Sequence, residues 1–192
     1  MMQPIHYFTV PGLGNSGPAH WQTWLDQTDP NFTLVQQREW DAPDRADWVE
    51  TLDQALTGRD LSQVVLVAHS LGCATIAHWA ARHGGSGRWP KAAFLVAPSD
   101  VETAHYARFP TTGFSPLPLQ RLPFPSLLVT STTDEWVTPE RARQFAQAWG
   151  SELVDIGPAG HINAASGHGP WPAGLKLLRE WVDKVVLSAS SE

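Results

Sequence analysis

Ser70, Asp134 and His161 occur in that order along the chain, and each lies just beyond a run of apolar or β-branched residues. A serine hydroxyl is a weak nucleophile. It attacks a carbonyl only when a base takes its proton and a third group holds that base in one tautomer. The three residue types supply these roles: Ser70 the nucleophile, His161 the general base, Asp134 the orienting carboxylate. Their order along the chain is one of the known orders for such a set.

The serine sits in Val64-Val65-Leu66-Val67-Ala68-His69-Ser70-Leu71-Gly72. An apolar run ends at Ala68 and a largely apolar segment, 71–81, follows, so the stretch predicts strand, sharp turn and helix. Such a turn strains the serine backbone and requires small neighbours, usually as G-x-S-x-G. Ala68 stands where the first glycine is usual, a difference of one methyl group, and Gly72 is the second.

Each assignment has rivals. His168 shares a glycine-flanked loop with His161 and competes as the base. His69 adjoins the nucleophile, but its side chain is expected to point away from that of Ser70, while packing or capping accounts for His78 and His83. Asp100 follows the apolar run 92–97 and competes with Asp134, which would also suit the start of a helix. A tetrahedral intermediate needs amide donors for its oxyanion. Leu71 should supply one, and Leu13 or Gly14, after the first strand, the other. Asn15, His20, Trp136 and residues of 98–123 are candidates for the pocket lining.

Other chemistries fit less well. The loop 11–17 is glycine-rich but lacks the G-x-x-x-x-G-K-[ST] pattern of a phosphate loop. A zinc site at His161 and His168 lacks a ligand helix and a convincing third ligand. No metal or other cofactor is expected.

The elements that must position these residues follow from periodicity. Strands are predicted at 5–10, 32–36, 64–68, 92–97, 126–131 and 153–156. Between them lie helical spacings, with Asp44 suited to one N-cap, and Thr138, Pro139 and Gly150 to the two ends of another. Alternating strands and helices predict an α/β fold, a three-layer α/β/α sandwich with a mainly parallel sheet. Ligands in such sheets bind beyond the carboxyl ends of the strands, where Ser70, Asp134, His161 and the Gly12 loop all fall. Segment 98–123, punctuated by Pro110, Pro116, Pro118 and Pro123, is an irregular excursion too short for an independent lid domain.

Hydrophobic residues make up 42% of the chain and charged residues 17%, which argues for a globular protein. One domain is expected over 1–187, with 188–192 as a flexible tail. The net charge of −6 disfavours nucleic acid or an anionic membrane as partner. The single cysteine, Cys73, excludes a disulfide framework. No apolar run is long enough for a membrane span, and a soluble cytoplasmic protein is expected. Many of the ten tryptophans fall at helical spacing and are assigned to core packing.

The chain resembles the small α/β-hydrolases of the family containing retinoblastoma-binding protein nine and the bacterial YdeN-like proteins. The resemblance covers nearly the whole chain. It rests on Pro11-Gly12-Leu13-Gly14, His69-Ser70-Leu71-Gly72, Asp134-Glu135-Trp136-Val137 and Gly160-His161, with Trp40 and Pro43 and the lack of a large cap domain in support. It implies a compact α/β-hydrolase fold and a catalytic triad at Ser70, Asp134 and His161. The expected substrate is a small ester, ahead of an amide or thioester. A binding or regulatory protein with little turnover is the alternative, although no feature of the sequence argues for a protein partner.

Overall fold

The computed structural model describes residues 4–83, 85 and 87–189. Strands β1 (His6–Val10), β2 (Phe32–Leu34), β3 (Val64–His69), β4 (Ala92–Val96), β5 (Ser126–Thr130) and β6 (Glu152–Asp155) form one sheet in the order β2-β1-β3-β4-β5-β6. Every neighbouring pair is parallel. Helices α1 (Trp21–Thr28), α2 (Arg45–Leu56), α3 (Leu71–Arg82), α4 (Pro139–Trp149) and α5 (Pro172–Ala189) complete the layers.

The continuous apolar runs of β3, β4 and β5 reflect burial on both faces of the sheet. Successive side chains point to opposite faces, and the core divides accordingly. Val64, Leu66 and Ala68 pack with α2, α3 and α4 through Trp48, Leu52, Ile76, Phe145 and Trp149. Val65 and Val67 pack with α1 and α5 through Trp21, Leu25, Leu178 and Trp181. Each fully buried aliphatic side chain contributes about 1.5–3 kcal/mol.

The caps follow the expected chemistry. The Asp44 carboxylate accepts from the amides of Ala46 and Asp47, and the Thr138 hydroxyl accepts from that of Arg141. Two boundaries differ from expectation by two residues. β2 ends at Leu34 because Val35 makes a last bond to the Thr9 carbonyl and Gln37 then turns inward, donating to the Trp48 carbonyl. α5 runs through Ser188 to Ala189, into the expected tail, while 190–192 lie outside the described residues, as do residues 84 and 86 of the expected turn at 84–87.

Segment 98–123 packs as a strap. Its one short 3₁₀ turn is Tyr106–Arg108, and Phe114, Leu117 and Leu122 are buried beneath it. Thr112 exchanges backbone bonds with Pro43 and Arg45, and the His78 imidazole bonds the Phe114 carbonyl. Arg141 clamps the start of the strap by donating to Asp100 and Glu102.

Candidate active site

β3 delivers the chain into a sharp turn at Ser70, with φ 56° and ψ −122°. For a residue other than glycine this costs about 1–3 kcal/mol and persists only where the surroundings enforce it. The Ser70 amide donates to the Val96 carbonyl, and the Ser70 carbonyl accepts from the Cys73 amide. The loop after β1 lies directly over the turn. A Cβ at Gly72 would overlap the Val10 carbonyl oxygen and sit 2.8 Å from that of Pro11. A Cβ at Gly12 would sit 3.1 Å from both the Leu71 nitrogen and the Ser70 Oγ. The absence of a side chain at Gly12 thus lets the loop approach the hydroxyl and the first amide of α3 closely.

Ser70 Oγ is 2.9 Å from His161 Nε2, and His161 Nδ1 is 2.9 Å from both oxygens of Asp134. Proton positions follow from donor capacity. A carboxylate only accepts, so His161 Nδ1 carries hydrogen and Nε2 is left to accept from the Ser70 hydroxyl. The Ser99 hydroxyl, 2.7 Å from Ser70 Oγ, then donates to it. The Asp134 side chain is fully buried, and Oδ1 also accepts from the Trp136 amide at 2.8 Å.

Two loops must meet for this geometry to exist. The side chains of Ser131 and Thr133, beyond β5, accept from the amides of Ala159 and Gly160. Gly160 has φ 56°, which a glycine adopts at little cost. From the other side, His69 Nε2 donates to the His161 carbonyl and Trp21 Nε1 to that of Ile162, each at 2.9 Å. The histidine loop is therefore fixed by four side chains from three separate segments.

A cavity of about 280 Å³ opens at Ser70 and His161. Asn15, His20, Trp136 and Leu13 line it. The Gly14 amide, in contrast, donates to the Trp40 carbonyl at 2.9 Å. Asp100 is engaged by Arg141, and His168 Nδ1 bonds Ser166 Oγ at 3.2 Å, so neither rival reaches the Ser70–His161 pair. His69 departs from expectation: it lines the cavity, its ring 4.8 Å from that of His161. Its hydrogen bond goes to the His161 carbonyl, while the Ser70 hydroxyl is met by His161 Nε2.

Comparison with known proteins gives the lineage. A family model described as serine hydrolase matches residues 7–180. The chain belongs to the serine hydrolase family. A protein described as a YdeN-like hydrolase from Pectobacterium atrosepticum is 34% identical, with a TM-score of 0.82 over 95% of this chain and 93% of that one. The ydeN gene product of B. subtilis shares the fold at 16% identity and a TM-score of 0.69, covering 93% and 99% of the two chains. An esterase from Thermogutta terrifontis, solved with butyrate bound, shares it at 17% identity and a TM-score of 0.66, covering 95% and 84%. No curated protein matches the chain.

In this serine hydrolase no cluster of three or more histidine, cysteine or acidic groups among the described residues could hold a metal ion. Likewise, no described helix is long and apolar enough to cross a membrane.

The buried histidines predict how stability varies with pH. Burial, reinforced by the neighbouring His161 and His168, brings His20 down to about 4. Burial holds His69 well below its ordinary value and also lowers His78. Between about 4 and 6.5 the unfolded histidines bind protons that the folded ones refuse, so stability falls as pH falls through this window. Asp26 opposes the trend. Burial raises it to about 6, so the folded state retains a proton there that the unfolded carboxylate has released. With three histidines against one carboxyl group, the urea midpoint should be lower at pH 5 than at pH 7. An equal or higher midpoint at pH 5 would contradict this balance.

Proposed function

We propose that the chain hydrolyses small carboxylic esters through an acyl-enzyme on Ser70, as a cytoplasmic enzyme acting on small molecules. The observation that carries this reading is the continuous hydrogen-bonded line Asp134, His161, Ser70, with every spacing at 2.9 Å. Ser70 Oγ attacks the ester carbonyl carbon as its proton passes to His161 Nε2. The resulting imidazolium stays oriented by Asp134 through Nδ1–H. The carbonyl π pair moves to oxygen, where the amides of Leu71 and Leu13 stabilise the negative charge. The close approach of the Gly12 loop to the Leu71 nitrogen supports this placement, whereas the bond from Gly14 to Trp40 favours Leu13 over Gly14 as the second donor.

Collapse of the tetrahedral intermediate breaks the bond to the alcohol oxygen, and His161 returns its proton to that leaving group. Water then repeats the sequence on the acyl-enzyme, with His161 as base and then acid. The net products are the carboxylic acid, the alcohol and the regenerated Ser70 hydroxyl.

A fluorophosphonate probe tests the reading without knowledge of the substrate, because it modifies only an activated serine. Mass-resolved labelling should fall on Ser70 and vanish in Ser70→Ala. No labelling of the folded protein would shift the reading to a binding protein with little turnover, and labelling at another serine would remove Ser70 as the nucleophile.

A further inference from the structure

The wall of the cavity has two chemical characters. His161 sits between them, with the Trp136 ring 5.7 Å away on one side and the His69 ring 4.8 Å away on the other. Tyr106 and Phe109 continue the aromatic side, packed against Trp136. Asn15, His20 and Asn163 contribute polar groups to the cavity, with the His20 ring 4.7 Å from that of His69.

In each of these three polar side chains, a backbone amide already occupies an acceptor atom. Ser16 N–H donates to Asn15 Oδ1, Gln22 N–H to His20 Nδ1 and Ser166 N–H to Asn163 Oδ1. His20 keeps only its Nε2–H, while Asn15 and Asn163 keep their NH₂ groups beside one further lone pair on Oδ1. The His20 tautomer follows directly: Nδ1 accepts, so the hydrogen of the neutral ring is on Nε2. His20 is only 5% exposed, and its Nε2 has no hydrogen-bond partner among the described residues. A buried donor left unpaired costs about 1–3 kcal/mol, and such an atom calls for a partner that arrives from outside. His69 spends its Nε2 hydrogen on the His161 carbonyl and leaves Nδ1 as a lone pair beside these donors.

We infer that the substrate carries, besides the carbonyl that Ser70 attacks, a neutral oxygen acceptor on the flank formed by Asn15, His20 and Asn163, with its apolar part against Tyr106, Phe109 and Trp136. This deepens the ester-hydrolase reading and rests on it. An ether, ketone or second ester oxygen meets the donors; a hydrocarbon leaves them unpaired. An anion is disfavoured because no lysine or arginine lines the cavity, and because His20, held near 4, is uncharged at neutral pH. The cavity of about 280 Å³ takes a small acyl or alcohol group beside Ser70.

Isosteric esters in which one methylene becomes oxygen test the inference. p-Nitrophenyl 3-methoxypropanoate against p-nitrophenyl pentanoate probes the acyl side, and 2-methoxyethyl acetate against butyl acetate the alcohol side. In one pair the ether should be preferred in kcat/KM by about tenfold, the yield of one net hydrogen bond. His20→Asn keeps an acceptor for the α1 N-cap and removes the Nε2 donor, so the ether-to-alkyl ratio of that pair should fall about tenfold. His20→Gln, whose amide nitrogen reaches the place of Nε2, should restore part of it. Asn15→Asp provides an independent check, because it keeps the acceptor for Ser16 and removes the donors; it should lower the same ratio. Comparing the ratio in each variant with that in wild type cancels the intrinsic reactivity of each ester.

If wild type and both donor-deleting variants turn over these esters with the same ratios, the acceptor flank is wrong and the hydrolase reading stands. If no ester is turned over and Ser70 takes no fluorophosphonate, the hydrolase reading falls and this inference with it.

Discussion

His161→Ala is expected to lower kcat on an ester substrate by up to about 10⁶-fold, and Asp134→Asn by about 10⁴-fold. Without the imidazole, the Ser70 hydroxyl proton has nowhere to go, since Ser99, its other partner at 2.7 Å, is itself a hydroxyl and no base at neutral pH. Asparagine at 134 retains an oxygen for the Trp136 amide, but its NH₂ group cannot accept from His161 Nδ1–H. The ring then favours hydrogen on Nε2, where it cannot take the serine proton. Both losses should fall mainly on kcat, because each removed interaction serves the proton transfer from Ser70. His168→Ala is the control, since its ring bonds Ser166 and packs edge-on against Trp171 away from Ser70. Steady-state kinetics of the three variants decides the matter. A larger loss at His168 than at His161 would reverse the assignment of the base.

Much of this arrangement was legible in the sequence because it is written in local signals. Apolar runs buried on both faces marked β3, β4 and β5. A serine between such a run and a helix marked the turn, and cap chemistry at Asp44 and Thr138 fixed two helix starts. Residues just beyond parallel strands share one edge of the sheet, and this alone brought Ser70, Asp134 and His161 together.

What could not be read has a common physical character: it depends on contacts between segments distant in sequence. Ser99 reaches Ser70 because Ala97, just past β4, adopts φ 48°, and no glycine announces that turn. Ser131 and Thr133 look like ordinary strand-end hydroxyls until the amides of Ala159 and Gly160 arrive to meet them. Tyr106 and Phe109 lie in an irregular strap without periodicity, so their burial against Trp136 had no pattern to reveal it. His69 was expected to point away from the nucleophile by strand alternation, yet strand geometry ends at that residue and its ring lines the cavity.

Gly72→Ala is expected to be the most disruptive single-methyl change in the chain, lowering stability by about 3 kcal/mol or more. Helix propensity alone points the other way, since alanine at a helical position is favoured over glycine by about 1 kcal/mol. Packing decides the sign. The added Cβ meets the carbonyl oxygens of Val10 and Pro11, which are backbone atoms with no rotamer to yield. Val10 is the last residue of β1, held in register opposite Ala68 of β3, so the clash can be relieved only by separating the Gly12 loop from the Ser70 turn. That separation also withdraws the Leu13 amide from the proposed oxyanion site, so any folded fraction should lose kcat as well. Urea unfolding checks the first consequence and activity per folded molecule the second. A variant as stable and as active as wild type would mean that the loop after β1 yields easily, and that its close approach to the serine turn is unimportant for either property.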